Sequence, residues 1–450
     1  MSDHQSDSRA ENSATSRRTA RHAEPVILDV VTLEPEGYGL TEDRKSAVLG
    51  ALPGETVRAE FWSRKRKKRF YRATDIIEAS SDRTLPVCSA AAHCGGCSLQ
   101  HMTPSSQIEY KLQQLKLTFG DNQPQEYLLP LTGPVTGYRR KARLGVKFVE
   151  KKDKVLVGFR EKMKPYVAEI EHCKVLHPAV GEKISELAEM ISSLEAVRSI
   201  PQIEIAAGDT ETALVIRHLE PLSDADLTRL QDFGREQKFT LYLQPGGHDS
   251  VHKFFPADSL ERLSYRLEEH DINFQFHPLD FTQVNQEINN RMIQLALSLL
   301  EISEKDQVFD GFCGIGNFSL PLARRCNAVV AAELSETSVE RARENAAANS
   351  IANVQFFARD LFEADMPLPE LQGCNKVLLD PPRSGALEVC KILAKNKVER
   401  VVYVSCNPVT LARDAQLLTA SGYRFEYAGV IDMFPHTTHV ESVASFSRHA

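Results

Sequence analysis

The chain has 450 residues, a formal net charge of −7, and a composition that is 42% hydrophobic and 26% charged. That length exceeds one ordinary core, so two or three domains are expected, and the acidic balance excludes a generally basic nucleic-acid coat. The most apolar helical stretch, Met292 to Leu300, is far too short to cross a membrane, and the polar first 23 residues lack the apolar centre of an export signal. A cytoplasmic protein is expected, in which nine cysteines point to ligation or catalysis before disulfides.

Residues 1–23, rich in Ser, Arg, Asp and Thr, are expected to stay disordered. From Val26 short strand-like runs alternate with Gly and Pro turns such as Pro35-Glu36-Gly37 and Leu52-Pro53-Gly54, the pattern of a small β-barrel over 24–83. Its later strands carry eight Lys or Arg against one acid, Glu60, between Arg58 and Arg72, with Phe61, Trp62, Phe70 and Tyr71 interleaved. Cations beside aromatics suit phosphate contacts and base stacking, although some of those rings must fill the barrel. A second basic cluster, Arg139-Arg140-Lys141 with Arg143, follows.

Next, Cys88, Cys94 and Cys97 surround the glycines Gly95 and Gly96, and Cys173 stands far downstream. Two glycines let the backbone fold tightly round a ligand, and a distant fourth thiolate completes a four-cysteine set. Zinc and an iron–sulfur cluster accept such a set equally well. Ser105 to Phe119 reads as a packed helix, with Ile108, Leu112, Leu115 and Phe119 on one face. Residues 84–272 then form an α+β region, with strands such as Lys141 to Val149 and a helix near Lys183 to Leu194, but no catalytic signature of its own.

Over 273–450 strands and helices alternate, which predicts a mainly parallel sheet wound on both faces. Three strand ends carry chemistry. Gln307 to Asp310 runs into the glycine-rich turn Gly311-Phe312-Cys313-Gly314-Ile315-Gly316-Asn317, where missing side chains let a ligand approach the backbone. Lys376 to Leu379 stops at Asp380-Pro381-Pro382-Arg383. Val401 to Ser405 delivers a lone cysteine, Cys406, to a turn ended by Pro408, the way an α/β enzyme presents a nucleophile.

The motifs D-G-F-C-G-I-G-N-F, L-D-P-P-R-S-G, V-S-C-N-P and H-V-E-S-V, in that order, resemble the RNA 5-methyluridine methyltransferase family. Together with the cysteine set and the N-terminal strands, they most resemble its 23S ribosomal RNA, iron–sulfur-containing branch, from about residue 24 to the end. The resemblance implies a TRAM-like, OB-type RNA-binding barrel, a central α+β domain holding a [4Fe–4S] cluster on Cys88, Cys94, Cys97 and Cys173, and a Rossmann-like domain that uses S-adenosylmethionine. It implies that Cys406 attacks C6 of a uracil and that Glu441 removes the C5 proton, with His436 and His439 as rival bases on chemical grounds. It also assigns Gln283 and Asp380 to the cofactor.

Within that reading, the turn Phe312 to Asn317 approaches the methionine part. Glu333, ending the strand Ala328 to Ala332, accepts from the ribose hydroxyls, and Asp360 after Val354 to Ala358 accepts from the adenine amine. Arg383 stands where amine methyltransferases carry an aromatic, and no cysteine follows Pro381, so a uracil target is expected over an exocyclic amine or a cytosine. The expected partner is 23S ribosomal RNA, bound by a monomer without membrane or obligate protein partner. Alternatives are a transfer-RNA or other ribosomal-RNA uracil methyltransferase, and a non-catalytic RNA-binding protein that has kept the fold.

Overall fold

A computed structural model describes residues 24–258, 261–364, 367–396 and 398–448; the expected disordered tail over 1–23 lies outside them. The chain divides into two compact units. One holds Tyr38–Ser81 with the chain up to Glu34, and the other holds Pro35–Gly37 and everything from Asp82 onward.

The first unit is a six-stranded sheet dominated by the antiparallel pair Glu55–Lys65 and Lys68–Glu78. Alternation along Glu55–Lys65 turns Val57 and Ala59 inward, where they meet Val30, Val48, Ala51 and Tyr71 in a small core. Beyond Ala59 that alternation stops, and Arg64, Lys65, Arg66 and Lys67 stand exposed at the hairpin tip, with Arg66 at φ 55° in the turn. Of the four aromatics, Tyr71 is a core residue, whereas Phe61 is 47% exposed. Trp62 lies under the Arg72 guanidinium, 3.6 Å from its ring centre.

In the second unit, Lys141–Val149, Lys154–Gly158, Gln202–Ala207, Thr212–Arg217, Phe239–Gln244 and His252–Phe255 build a six-stranded sheet. Helices Ile184–Ser192 and Asp224–Gln237 pack on it through Ile184, Leu187, Leu230 and Phe233. The Ser223 hydroxyl caps the latter helix by accepting from the Asp226 amide.

The largest sheet has eight strands. Seven come from the C-terminal part and are numbered here β1 (Gln307–Gly311), β2 (Ala328–Glu333), β3 (Val354–Ala358), β4 (Lys376–Leu379), β5 (Arg400–Ser405), β6 (Arg424–Ile431) and β7 (Glu441–Ser447). Their spatial order is β3-β2-β1-β4-β5-β7-β6. β1 to β5 run parallel, and β7 lies antiparallel to both neighbours. Near-continuous apolar runs suit strands buried on both faces, and successive residues divide between two cores. Val308, Val329, Leu378, Val402 and Val404 enter one; Phe309, Val330, Val377, Leu379, Val401 and Tyr403 enter the other.

The eighth strand and one covering helix come from far upstream. Glu126–Tyr127 pairs in parallel with β6 at the sheet's edge. Helix α1 (Pro104–Phe119), capped by the Thr103 side chain, puts Leu115 and Phe119 into the second core. Helix α2 (Gln286–Leu299) covers the opposite face with Ile288, Met292, Ile293 and Ala296, beside the hairpin Leu263–Leu267 and Ile272–Phe276. Because β1 to β5 are parallel, the glycine turn, Glu333, Asp360, Asp380 and Cys406 all emerge at one edge of the sheet.

Candidate active site

The turn after β1 is built by backbone that side chains rarely adopt: Phe312, Gly314 and Gly316 have φ of 67°, 55° and 94°. A Cβ on Gly314 would meet nothing within 4 Å, so open space lies over that residue. The Phe312 amide bonds the Ala332 carbonyl at 2.8 Å, and the Gly314 amide bonds a carboxylate oxygen of Glu333 at 3.2 Å. The other Glu333 oxygen accepts from the Ser335 amide at 3.0 Å. Turn and carboxylate therefore hold one another. Asp360 accepts from the Phe362 amide at 2.8 Å, and the Phe362 and Phe312 rings lie 5.3 Å apart.

Asn317 closes the turn through a reciprocal amide pair with Asn289 of α2, both bonds 2.9 Å, and accepts from the Tyr265 hydroxyl at 3.3 Å. Tyr265 and Asn289 also line a hollow with Arg140, Gln283 and Gln286. Gln283 thus opens onto the neighbourhood of the glycine turn. Beneath it, Asp310 is fully buried and accepts from the Ser319 hydroxyl. Burial, with Asp380 and Glu333 nearby, pushes its carboxyl up to about 7.

Cys406 sits between β5 and helix α3 (Pro408–Ala420), whose N-cap is Asn407. The Asn407 amide group donates to the Arg383 carbonyl at 2.8 Å, tying the two turns together. The turn after Asp380 is held from below: the Ala386 amide donates to the Tyr403 hydroxyl and to Asp414, at 2.9 and 2.8 Å. Asp380, Arg383, Cys406 and Glu441 form one electrostatic group. Burial, then Glu441 and Asp380, push the Cys406 thiol up to about 11, against the Arg383 cation. Burial, then Asp380, push the Glu441 carboxyl up to about 8, opposed by Arg383 and Lys111. Burial alone takes Asp380 to about 7.

The two histidines have other partners. His439 accepts at its ring from the Arg383 guanidinium at 3.0 Å. His436 is 4% exposed, with its amide donating to the Gln107 side chain at 2.8 Å. Gln107 and Lys111 are the residues that sequence reading missed. Both are buried on α1, one turn apart, and Lys111 donates to Asp432 at 2.6 Å and to the Phe434 carbonyl at 2.9 Å. The signal was present: a polar pair at i and i+4 interrupts the apolar face of α1.

Cys88, Cys94, Cys97 and Cys173 line one hollow, walled by Phe159, Ile170 and Val175. A Cβ on Gly95 would stand 2.8 Å from the Arg160 carbonyl, and one on Gly96 2.9 Å from the Phe159 ring, so both glycines are required by close approach. The Gly96 amide points at the Cys94 sulfur, 3.5 Å away. Burial pushes the Cys94 and Cys97 thiols up to about 11 and about 12. Among the described residues no three His, Cys, Asp or Glu side chains are arranged to hold a single metal ion; these four surround a space.

A sheet of this order, with a glycine turn after its first strand and acidic residues at the ends of the next, is the fold of S-adenosylmethionine-dependent methyltransferases. The chain belongs to the tRNA (uracil-5-)-methyltransferase family, whose model matches residues 104–449. It is 47% identical over 429 residues to the 23S rRNA (uracil(1939)-C(5))-methyltransferase RlmD of Alcanivorax borkumensis, covering 94% of this chain and 96% of that one. To the protein of the same name from Alkalilimnicola ehrlichii it is 48% identical over 448 residues, covering 96% and 99%. Among solved structures, the Pyrococcus abyssi tRNA (uracil-54, C5)-methyltransferase in complex with S-adenosyl-L-homocysteine superimposes with a TM-score of 0.74 at 25% identity, over 94% of this chain and all of that one. No helix among the described residues is long and apolar enough to cross a membrane.

Proposed function

We propose that this protein methylates C5 of a uridine in 23S ribosomal RNA, the position its relatives' names give as 1939, through a covalent adduct of Cys406. The observation that carries the chemistry is the grouping of Cys406, Glu441, Asp380 and Arg383 at the carboxyl edge of the sheet. The choice of 23S RNA over transfer RNA rests on near-full-length identity to RlmD proteins. S-adenosylmethionine, when bound against Gln283, Phe312, Asn317, Glu333, Asp360 and Asp380, supplies the methyl group.

Uracil C5 is a poor nucleophile until C6 is attacked. The Cys406 thiolate forms the Sγ–C6 bond and pushes the C5–C6 π electrons toward O4, so that C5 becomes electron-rich. After methylation C5 carries both a methyl and a hydrogen. Glu441 takes that proton, the electron pair of the C5–H bond reforms the double bond, and the Sγ–C6 bond breaks to return the thiolate. Arg383, the cation of the group, favours the thiolate form of Cys406. C5 and C6 are hidden inside stacked RNA, so the target base must be looped or flipped out. The exposed cations of the Glu55–Lys65 hairpin suit a grip on flanking RNA, in keeping with a TRAM-like role for 24–83.

The four cysteines suit a [4Fe–4S] cluster: thiols around a hollow fit a group of several atoms better than one ion, and apolar walls with an amide aimed at sulfur fit a buried cluster. The Cys173→Ser protein, purified without air, should lose most of about four irons per chain. One tightly held zinc without labile sulfide would overturn the cluster. For the reaction, 5-methyluridine should disappear from one 23S position in cells lacking the protein and return on incubation with it and S-adenosylmethionine. Methylation of transfer RNA alone would overturn the substrate assignment.

A further inference from the structure

Glu441 begins β7, and the loop before it, from Asp432 to Val440, is held by a separate part of the chain. The amides of Ser98 and Leu99, immediately after Cys97, both donate to the His436 carbonyl at 2.9 Å. The Thr438 amide donates to the Ser98 hydroxyl at 3.1 Å. The Tyr138 hydroxyl donates to the Pro435 carbonyl at 3.0 Å.

Gln107 joins the two sides. Its side-chain nitrogen donates to the carbonyls of Leu99 and Met102 at 3.1 and 2.8 Å and lies 3.2 Å from the His436 ring, while its oxygen accepts from the His436 amide at 2.8 Å. At 2% exposure it has no water to replace those partners. His436 itself adopts φ 65°, a conformation that persists only where the surroundings enforce it. One turn along α1, Lys111 grips Phe434 and Asp432.

We propose that Gln107 and Ser98, the latter through its hydroxyl to the Thr438 amide as well as its backbone amide, are positioning groups for Glu441, and that the four-cysteine site acts on the reaction through them by fixing the segment that ends at Cys97. The inference rests on Glu441 as the base that frees the adduct. A cluster bound at Cys97 would then set the release of methylated RNA, because the proton abstracted by Glu441 is needed only after methyl transfer. A site serving only RNA binding or folding would instead slow the formation of the adduct.

The test separates the two steps. Full-length wild type, Gln107→Ala, Ser98→Ala and Glu441→Gln proteins are mixed with S-adenosylmethionine and a 23S transcript carrying the target, and formation and decay of the covalent protein–RNA species are followed on denaturing gels. Gln107→Ala should form the adduct within about threefold of the wild-type rate and release it about tenfold more slowly, the effect of leaving buried partners unbonded. Ser98→Ala should slow release about threefold, and Glu441→Gln should stall.

Independently of turnover, amide hydrogen exchange in the segment 434–441 should quicken when iron is stripped from the wild-type protein by a chelator, with no comparable change in β1 to β5. If Glu441→Gln stalls while Gln107→Ala and Ser98→Ala release normally, the positioning role is wrong. Normal release by Glu441→Gln removes the base assignment instead, and unchanged exchange on iron removal then overturns the coupling by itself.

Discussion

The Lys111 ammonium lies 2.6 Å from the Asp432 carboxylate, with side chains 0% and 6% exposed. Burial lowers the lysine's pKa while Asp432, by charge and hydrogen bond, opposes that shift. Removing one member of such a pair leaves an uncompensated charge out of water, at about 3–5 kcal/mol. Lys111→Met should therefore lower the unfolding midpoint by many degrees, and the double variant Lys111→Met, Asp432→Leu should recover most of the loss in a double-mutant cycle. Additive losses would mean that the pair contributes nothing as a pair.

The raised Glu441 carboxyl gives the release step a pH signature. A base works in its deprotonated form, whereas burial and Asp380 favour the protonated one and hold the pKa at about 8. Release of the adduct in single turnovers should therefore speed up as pH rises through about 8 and level off above it. The rise should be shallower than first order in hydroxide where Asp380 titrates alongside it, because each carboxylate opposes ionisation of the other. A rate that falls over the same range would exclude Glu441 as the base.

Asp310 should make the ligand-free protein less stable as pH rises. Its folded pKa, about 7, lies above that of an unfolded aspartate. The folded state thus holds a proton that the unfolded state has lost, and the contribution present below about pH 4 disappears by about 7. Asp310→Asn, which cannot ionise but still accepts from Ser319, should flatten that decline and raise the melting temperature by several degrees at pH 8. Equal pH slopes for the two proteins would show that Asp310 does not cause the decline.

At the hairpin tip, Lys68 has an ion-pair partner in Glu34, so the exposed Arg64, Lys65 and Lys67 are the better probes of RNA binding. Alanine at all three should weaken RNA affinity and reduce its salt dependence, by about 0.7 in the logarithmic slope for each phosphate of a single strand that is no longer neutralised. Turnover at saturating RNA should change little. An unchanged slope would show that the tip does not touch phosphate.

The strands β1, β2, β4 and β5 were legible because long apolar runs buried on both faces leave few alternatives, and the glycine turn and Cys406 follow them by chemistry that needs a strand end. The meeting of Cys173 with the Cys88–Cys97 loop is legible only through residue type, since no local pattern draws them together. The apolar period of α1 points to packing alone, and the role of the helix lies in its polar positions. Ile108 and Leu112, expected inside, are half-buried, and Gln107 and Lys111 are the buried ones. The two-residue strand Glu126–Tyr127 gave no signal at all. Its pairing is decided by the free edge of β6, about three hundred residues away, and not by its own composition.

That short strand, with the chain on either side of it, sets how the enzyme can be cut. Gln125, Leu128 and Leu131 donate backbone hydrogen bonds to Phe425, Ala428 and Val430, and α1 lays Leu115 and Phe119 over the same side of the sheet. A fragment starting at residue 273 would carry β1 to β7, yet would bare both the rim of β6 and the apolar surface beneath α1, inviting sheet-to-sheet association. A soluble catalytic piece should therefore keep 104–131 together with the C-terminal strands, because chain from far upstream completes the sheet that carries Cys406.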